Sequence, residues 1–166
     1  MAESVRTIAV LVANPALGSI LGMVLAASPT LRVRPFDSAL ALLTYMRLAP
    51  VDLLVTDFDS ESARADQVAN ALRAAAGLER RDFQIIALAS KVTAETKSLS
   101  IAAGIDEVIV KPMSPKYLLE RVLSRLARRA ALVGTTRRVQ PAPKRPDFPQ
   151  YGNVIPLFGR HVQPQH

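Results

Sequence analysis

Apolar positions along this chain follow two alternating rhythms: short β-rich runs, and longer stripes at helical spacing. Thr7–Ala13 is a continuous apolar run, the pattern of a strand buried on both faces. Pro15 suits a first helical turn, and Leu17, Ile20, Leu21, Val24 and Leu25 follow as an amphipathic stripe that Pro29 ends. Leu31–Phe36 sets Leu31 and Val33 against Arg32 and Arg34, which predicts an edge strand. Asp37 or Ser38 is positioned to cap a helix running through Arg47.

The alternation continues downstream. Val51–Thr56 predicts a third strand, and Ala65–Ala76 a helix closed by Gly77. Phe83–Ala89 predicts a fourth strand, and Thr93 with Thr96 opens a polar helix that stops at Gly104. Asp106–Val110 is the fifth strand, after which Ser114 caps a helix carrying Leu118, Leu119, Val122, Leu123 and Leu126. Five strands alternating with five helices predict an α/β fold: a doubly wound, five-stranded parallel sheet with helices on both faces. The expected domain spans residues 5–131. Residues 132–166 are expected to form a disordered, basic, Pro-rich tail, because no helical or strand period continues there. The apolar island Asn153–Phe158 is its one exception, readable as a docking peptide or as an incidental patch.

Composition narrows the chemistry. The chain has 166 residues, 49% of them apolar, so one ordinary core is affordable in Leu, Val, Ile and Ala; aromatics are only 5%. With no Cys, disulfide scaffolds, thiolate zinc sites and Cys nucleophiles are excluded. No apolar run approaches a membrane span and no signal-peptide pattern opens the chain, so a cytoplasmic protein is expected. The net charge of +7 is unevenly spread: residues 1–113 carry net −1 and residues 114–166 carry net +8. The glycines form no phosphate loop, and Gly18 and Gly22 read as close helix packing. Met23, Met46 and Met113 read as core filler, and His161 and His166 lack the company a metal site needs. No Ser-His-Asp triad or paired-acid arrangement is visible, so no enzymatic activity is expected.

One pair of charges stands out. Asp57 closes the third strand and Lys111, followed by Pro112, closes the fifth. Open parallel sheets place their chemistry at the carboxyl ends of the strands, so these two side chains are expected to share one site. A carboxylate beside an ammonium suits receipt of a phosphoryl group, and it suits a structural ion pair equally well.

With Leu11–Leu17, Asp52–Asp57, Ile85–Ser90 and Ala102–Pro112 in these positions, the chain resembles the receiver domain of bacterial response regulators, the CheY-like variant of the flavodoxin-like (βα)5 fold. The resemblance implies aspartyl phosphorylation by a histidine kinase with Mg²⁺. It places Asp57 on the phosphoacceptor and Lys111 on the phosphate-contacting lysine. Asp59 falls where the family offers a backbone carbonyl to the metal. The family's acidic metal-binding pair falls on Val12 and Ala13, the switch hydroxyl on Ala89 with Ser90 one residue on, and the aromatic switch on Val108. Ser60-Glu61 replaces the usual Met-Pro. Mg²⁺ needs oxygen ligands, and only Asp57 and Asp59 remain to supply them, so neither Mg²⁺ nor another cofactor is expected.

Three functions follow as expectations. The first is a degenerate, weakly or non-phosphorylated receiver that binds a histidine kinase or another signalling protein. The second is a working phosphorelay receiver phosphorylated on Asp57. The third is a cyclic di-GMP-responsive effector, for which Arg125, Arg128, Arg129, Arg137 and Arg138 are the anion-binding candidates; guanidinium forks suit paired phosphates. The bland alternative for that stripe is a solvated helix face. DNA is a poor partner, with no helix-turn-helix and few aromatics. A homodimer through the last helix and strand is also open.

Overall fold

A computed structural model describes residues 4–134 and 154–156. Strands β1 (Arg6–Leu11), β2 (Leu31–Phe36), β3 (Leu53–Asp57), β4 (Gln84–Ala89) and β5 (Glu107–Val110) alternate with helices α1 (Pro15–Ala26), α2 (Ala39–Leu48), α3 (Ala65–Ala74), α4 (Ala94–Ala103) and α5 (Pro115–Gly134). The five strands pair in parallel in the order β2-β1-β3-β4-β5. A sixth strand, β6 (Val154–Pro156), adds antiparallel to the outer edge of β5. The predicted doubly wound architecture is therefore present.

β1, β3, β4 and β5 bury both faces while the edge strand β2 does not, and two cores form, one on each side of the sheet. Leu42 and Met46 of α2, Val68 and Leu72 of α3 and Ala103 of α4 pack on one side, over Ala9, Leu54, Ile85, Ala87 and Val108. Leu21 and Leu25 of α1, with Leu118, Val122 and Leu126 of α5, pack on the other, over Ile8, Leu53, Ile86 and Ile109. Caps fix the helix starts. Asn14 accepts from the amides of Ala16 and Leu17, Ser38 accepts from Ala41, and Thr93 with Thr96 forms a reciprocal capping box. Gly104, at φ 73°, ends α4 in the left-handed conformation that glycine adopts without a Cβ penalty.

Several expectations shift. β1 ends at Leu11 because Asn14 must already cap α1, which leaves Val12 and Ala13 beyond the strand. α3 ends at Ala74 with an extended Ala75, so Gly77 lies in the following turn rather than at the helix cap. Met23 is 69% exposed and is not core filler, whereas Met46 is buried and Met113 packs at the core's edge. A Cβ on Gly18 would crowd the side chain of Val12 in the loop before α1, not another helix, and one on Gly22 would meet nothing. α5 runs three residues past the expected boundary. Of the expected tail, residues 135–153 and 157–166 lie outside the described residues, while Val154–Pro156, inside the apolar island, forms β6. Edge-strand pairing supplies backbone hydrogen bonds that local sequence periodicity cannot reveal. Among the described residues, no helix is long and apolar enough to cross a membrane.

Candidate functional site

The carboxyl edge of the sheet gathers the site. β3 ends in Asp57, β4 leads into Ser90, and β5 leads into Lys111, whose bond to Pro112 is cis. Ladder bonds hold the strand ends together: the Phe58 amide donates to the Leu88 carbonyl and the Lys111 amide to the Ala89 carbonyl. This backbone frame fixes where the side chains meet.

Lys111 Nζ lies 2.8 Å from Oδ2 and 3.1 Å from Oδ1 of Asp57, and 2.6 Å from Oδ2 of Asp59. One ammonium thus bridges two carboxylates. Asp57, 3% exposed, also accepts from the Asp59 amide at 2.8 Å. Asp59 accepts from the Ser90 amide at 3.0 Å and from its hydroxyl at 2.5 Å. Burial would raise the Asp59 carboxyl, but the hydrogen bonds from Lys111 and Ser90 outweigh it and hold the group below its ordinary value. Burial would likewise depress the Lys111 ammonium, and its bonds to Asp57 and Asp59 instead raise it. One ammonium thus holds two carboxylates, and the cluster keeps a net charge of −1.

The residues at the expected metal positions do not fit a divalent cation. Val12 turns its side chain toward Gly18 and packs at the edge of the core, and Ala13 is exposed with no oxygen to offer. Both Asp57 oxygens are engaged by Lys111, and Oδ2 of Asp59 is shared by Lys111 and Ser90. A cation would have to displace the ammonium and then find its remaining ligands elsewhere. Among the described residues, no group of three or more His, Asp or Glu side chains could hold a metal ion.

The switch positions divide. Ala89 and Val108 are buried in the core under α2, α3 and α4. Ser90, just past the strand, contacts Asp59 instead of Asp57. Beside the cluster a cavity of about 300 Å³ opens between the β3–α3 loop and α4, lined by Phe58, Asp59, Arg64, Ser90, Lys91 and Glu95 among others. Arg64 at its wall reaches Asp66 with both fork nitrogens, at 2.5 and 2.9 Å.

Chains of similar structure decide the fold's identity. A receiver domain protein (CheY-like) from Methanospirillum hungatei JF-1 superposes with TM-score 0.69 at 19% identity, covering 78% of this chain and 99% of its own. A response regulator from Thermotoga maritima gives 0.62 at 22%, covering 74% and 98%. An orphan response regulator of h. pylori gives 0.63 at 17%, covering 75% and 99%. The fold is that of a response regulator receiver domain. No family model matches the sequence, and neither does any curated protein. On this receiver fold, Asp57 and Lys111 stand together as expected, while the metal-ligand positions are apolar.

Among the described residues, Arg121, Arg125 and Arg129 of α5 are spent on internal carboxylates. Arg125 Nε donates to Glu107 at 2.5 Å, alongside a two-pronged contact from Arg121 at 2.6 and 3.0 Å. Arg129 is buried and binds Asp52 at 3.3 Å and also Asp82. Asp52 in turn accepts from the Thr7 amide, Arg6 and Arg80. Of the five anion-binding candidates, Arg128 alone is exposed among the described residues, and Arg137 and Arg138 lie outside them. Arg125 and Arg129 turn to Glu107, Asp52 and Asp82. Sequence reading missed the two carboxylate hubs at Asp52 and Glu107. The available signal was the i, i+4 spacing of Arg121, Arg125 and Arg129, which puts all three on one helix face.

Proposed function

We propose that this chain is a degenerate receiver: a protein-interaction module of bacterial signal transduction in which Asp57 is weakly phosphorylated or not at all. One observation carries the reading. Lys111 already occupies both Asp57 and Asp59, where a phosphorylatable site would need a metal, and Val12 and Ala13 supply no ligands for one. Phosphoryl transfer relies on positioning and on metal charge stabilisation. Losing the metal removes several kcal/mol of transition-state stabilisation, or orders of magnitude in rate.

The same network favours a constitutive conformation. Ala89 has no hydroxyl to follow a phosphoryl group, and buried Val108 has no aromatic ring to reorient. A binding partner, whether a histidine kinase or another signalling protein, would then recognise a fixed surface. Incubation of the full chain with acetyl phosphate and Mg²⁺, followed by intact mass measurement, tests the reading. No phosphate adduct is expected. A stoichiometric adduct that disappears in Asp57→Asn would show a working phosphorelay receiver instead.

A further inference from the structure

The two edges of the sheet are protected in different ways. An open edge presents unpaired backbone groups that pair readily with another chain, and proteins blunt such edges with charge or proline. β2 carries Arg32, Arg34 and Pro35. β5 reads Glu-Val-Ile-Val: its single charge, Glu107, is fully buried and held by Arg121 and Arg125, and the other three residues are β-branched. Nothing in β5 itself discourages pairing. β6 covers it, with Val154 opposite Ile109, Ile155 opposite Val108 and Pro156 opposite Glu107.

The backbone directions say which group β6 satisfies. The Lys111 amide donates inward to the Ala89 carbonyl of β4. Strand alternation then turns the Ile109 amide inward and the Val108 amide outward, toward Ile155. Pro156, opposite Glu107, has the alternate parity, so its missing amide hydrogen falls on the outer edge of β6. A three-residue pairing is weak on its own, since each hydrogen bond contributes little net stability and each residue must be ordered. Residues 135–153 tether it, and a tether of this kind gives an effective concentration on the order of millimolar. A second copy at micromolar concentration therefore loses the edge to the chain's own segment.

We propose that Val154–Pro156 is a removable guard strand, and that the β5 edge, once released, pairs antiparallel with β5 of a second copy of this chain. Such a pairing is self-complementary about a two-fold axis, because the same edge serves both partners. Ile155→Pro in the full chain removes the amide that faces Val108. Site-resolved amide exchange of the variant, diluted until it is monomeric, should then show Val108 exchanging about tenfold faster while Ile109, paired with β4, is unchanged. Sedimentation equilibrium of the variant should show a monomer–dimer equilibrium that the parent lacks. A peptide of residues 150–160 should reverse it. Unchanged Val108 exchange overturns the guard strand, and a variant that releases Val108 yet stays monomeric overturns the pairing between copies.

Discussion

Removing one partner at a time from the Asp57–Lys111–Asp59 cluster should have unequal effects. In Asp57→Asn the amide oxygen still accepts the Asp59 amide, and Lys111 keeps Asp59 at 2.6 Å. The loss is one charge-assisted contact, about 1–2 kcal/mol. In Lys111→Met the buried Asp57 and its neighbour Asp59 face each other with no cation between them. Breaking a buried pair by deleting one partner costs about 3–5 kcal/mol. Because the Lys111 side chain is 22% exposed and Asp59 39% exposed, water screens part of this, and about 2–4 kcal/mol is expected. At roughly 3 °C per kcal/mol for a domain of this size, the melting temperature should fall by about 3–6 °C and about 6–12 °C respectively. Urea titrations of both variants at neutral pH give the comparison. The Lys111→Met deficit should also shrink on acidification, as protonation removes the unpaired charge. The reasoning fails if Asp57→Asn costs as much as Lys111→Met, or if the Lys111→Met deficit is independent of pH.

Glu107→Gln should cost about 2–4 kcal/mol by chemical denaturation, since Glu107 is fully buried and its loss strands Arg121 and Arg125, which are themselves only 26% and 18% exposed. Truncation after Gly134 should leave cooperative unfolding, with a melting temperature within a few degrees of the parent, because the described members of both cores lie between Ile8 and Leu126. Asp59, Asp66 and Asp82 titrate below the ordinary 3.8, so their contribution to stability is complete above that value and is lost as pH falls through their lowered ones. Asp106, raised by burial, opposes them at the acid end. Lys111 is raised above 10.5, so its contribution is complete below that value and lost as pH rises through the raised one. Thermal melts across pH should accordingly show a plateau bounded by these two regions.

The order of elements was readable from periodicity alone, because strands buried on both faces must be continuously apolar and the helices between them must be striped. Leu31–Phe36 even keeps its predicted ends, since its alternation with Arg32 and Arg34 marks an edge. The meeting of Asp57 with Lys111 was equally legible, because parallel strands bring their carboxyl ends to one edge. The sequence also showed what Val12 and Ala13 lack: a residue without oxygen cannot ligate Mg²⁺ in any fold.

Other features depend on distance in space. That Lys111 reaches Asp59 as well as Asp57, and that Ser90 joins them, follows from how two loop backbones bend past the strand ends. Arg125 and Arg129 look like free cations in a linear reading, and only packing of α5 against the sheet brings Glu107, Asp52 and Asp82 to them. β6 is the strongest case. Three residues carry too little periodicity to declare a strand, and it is the open backbone of β5, far away in sequence, that makes them one.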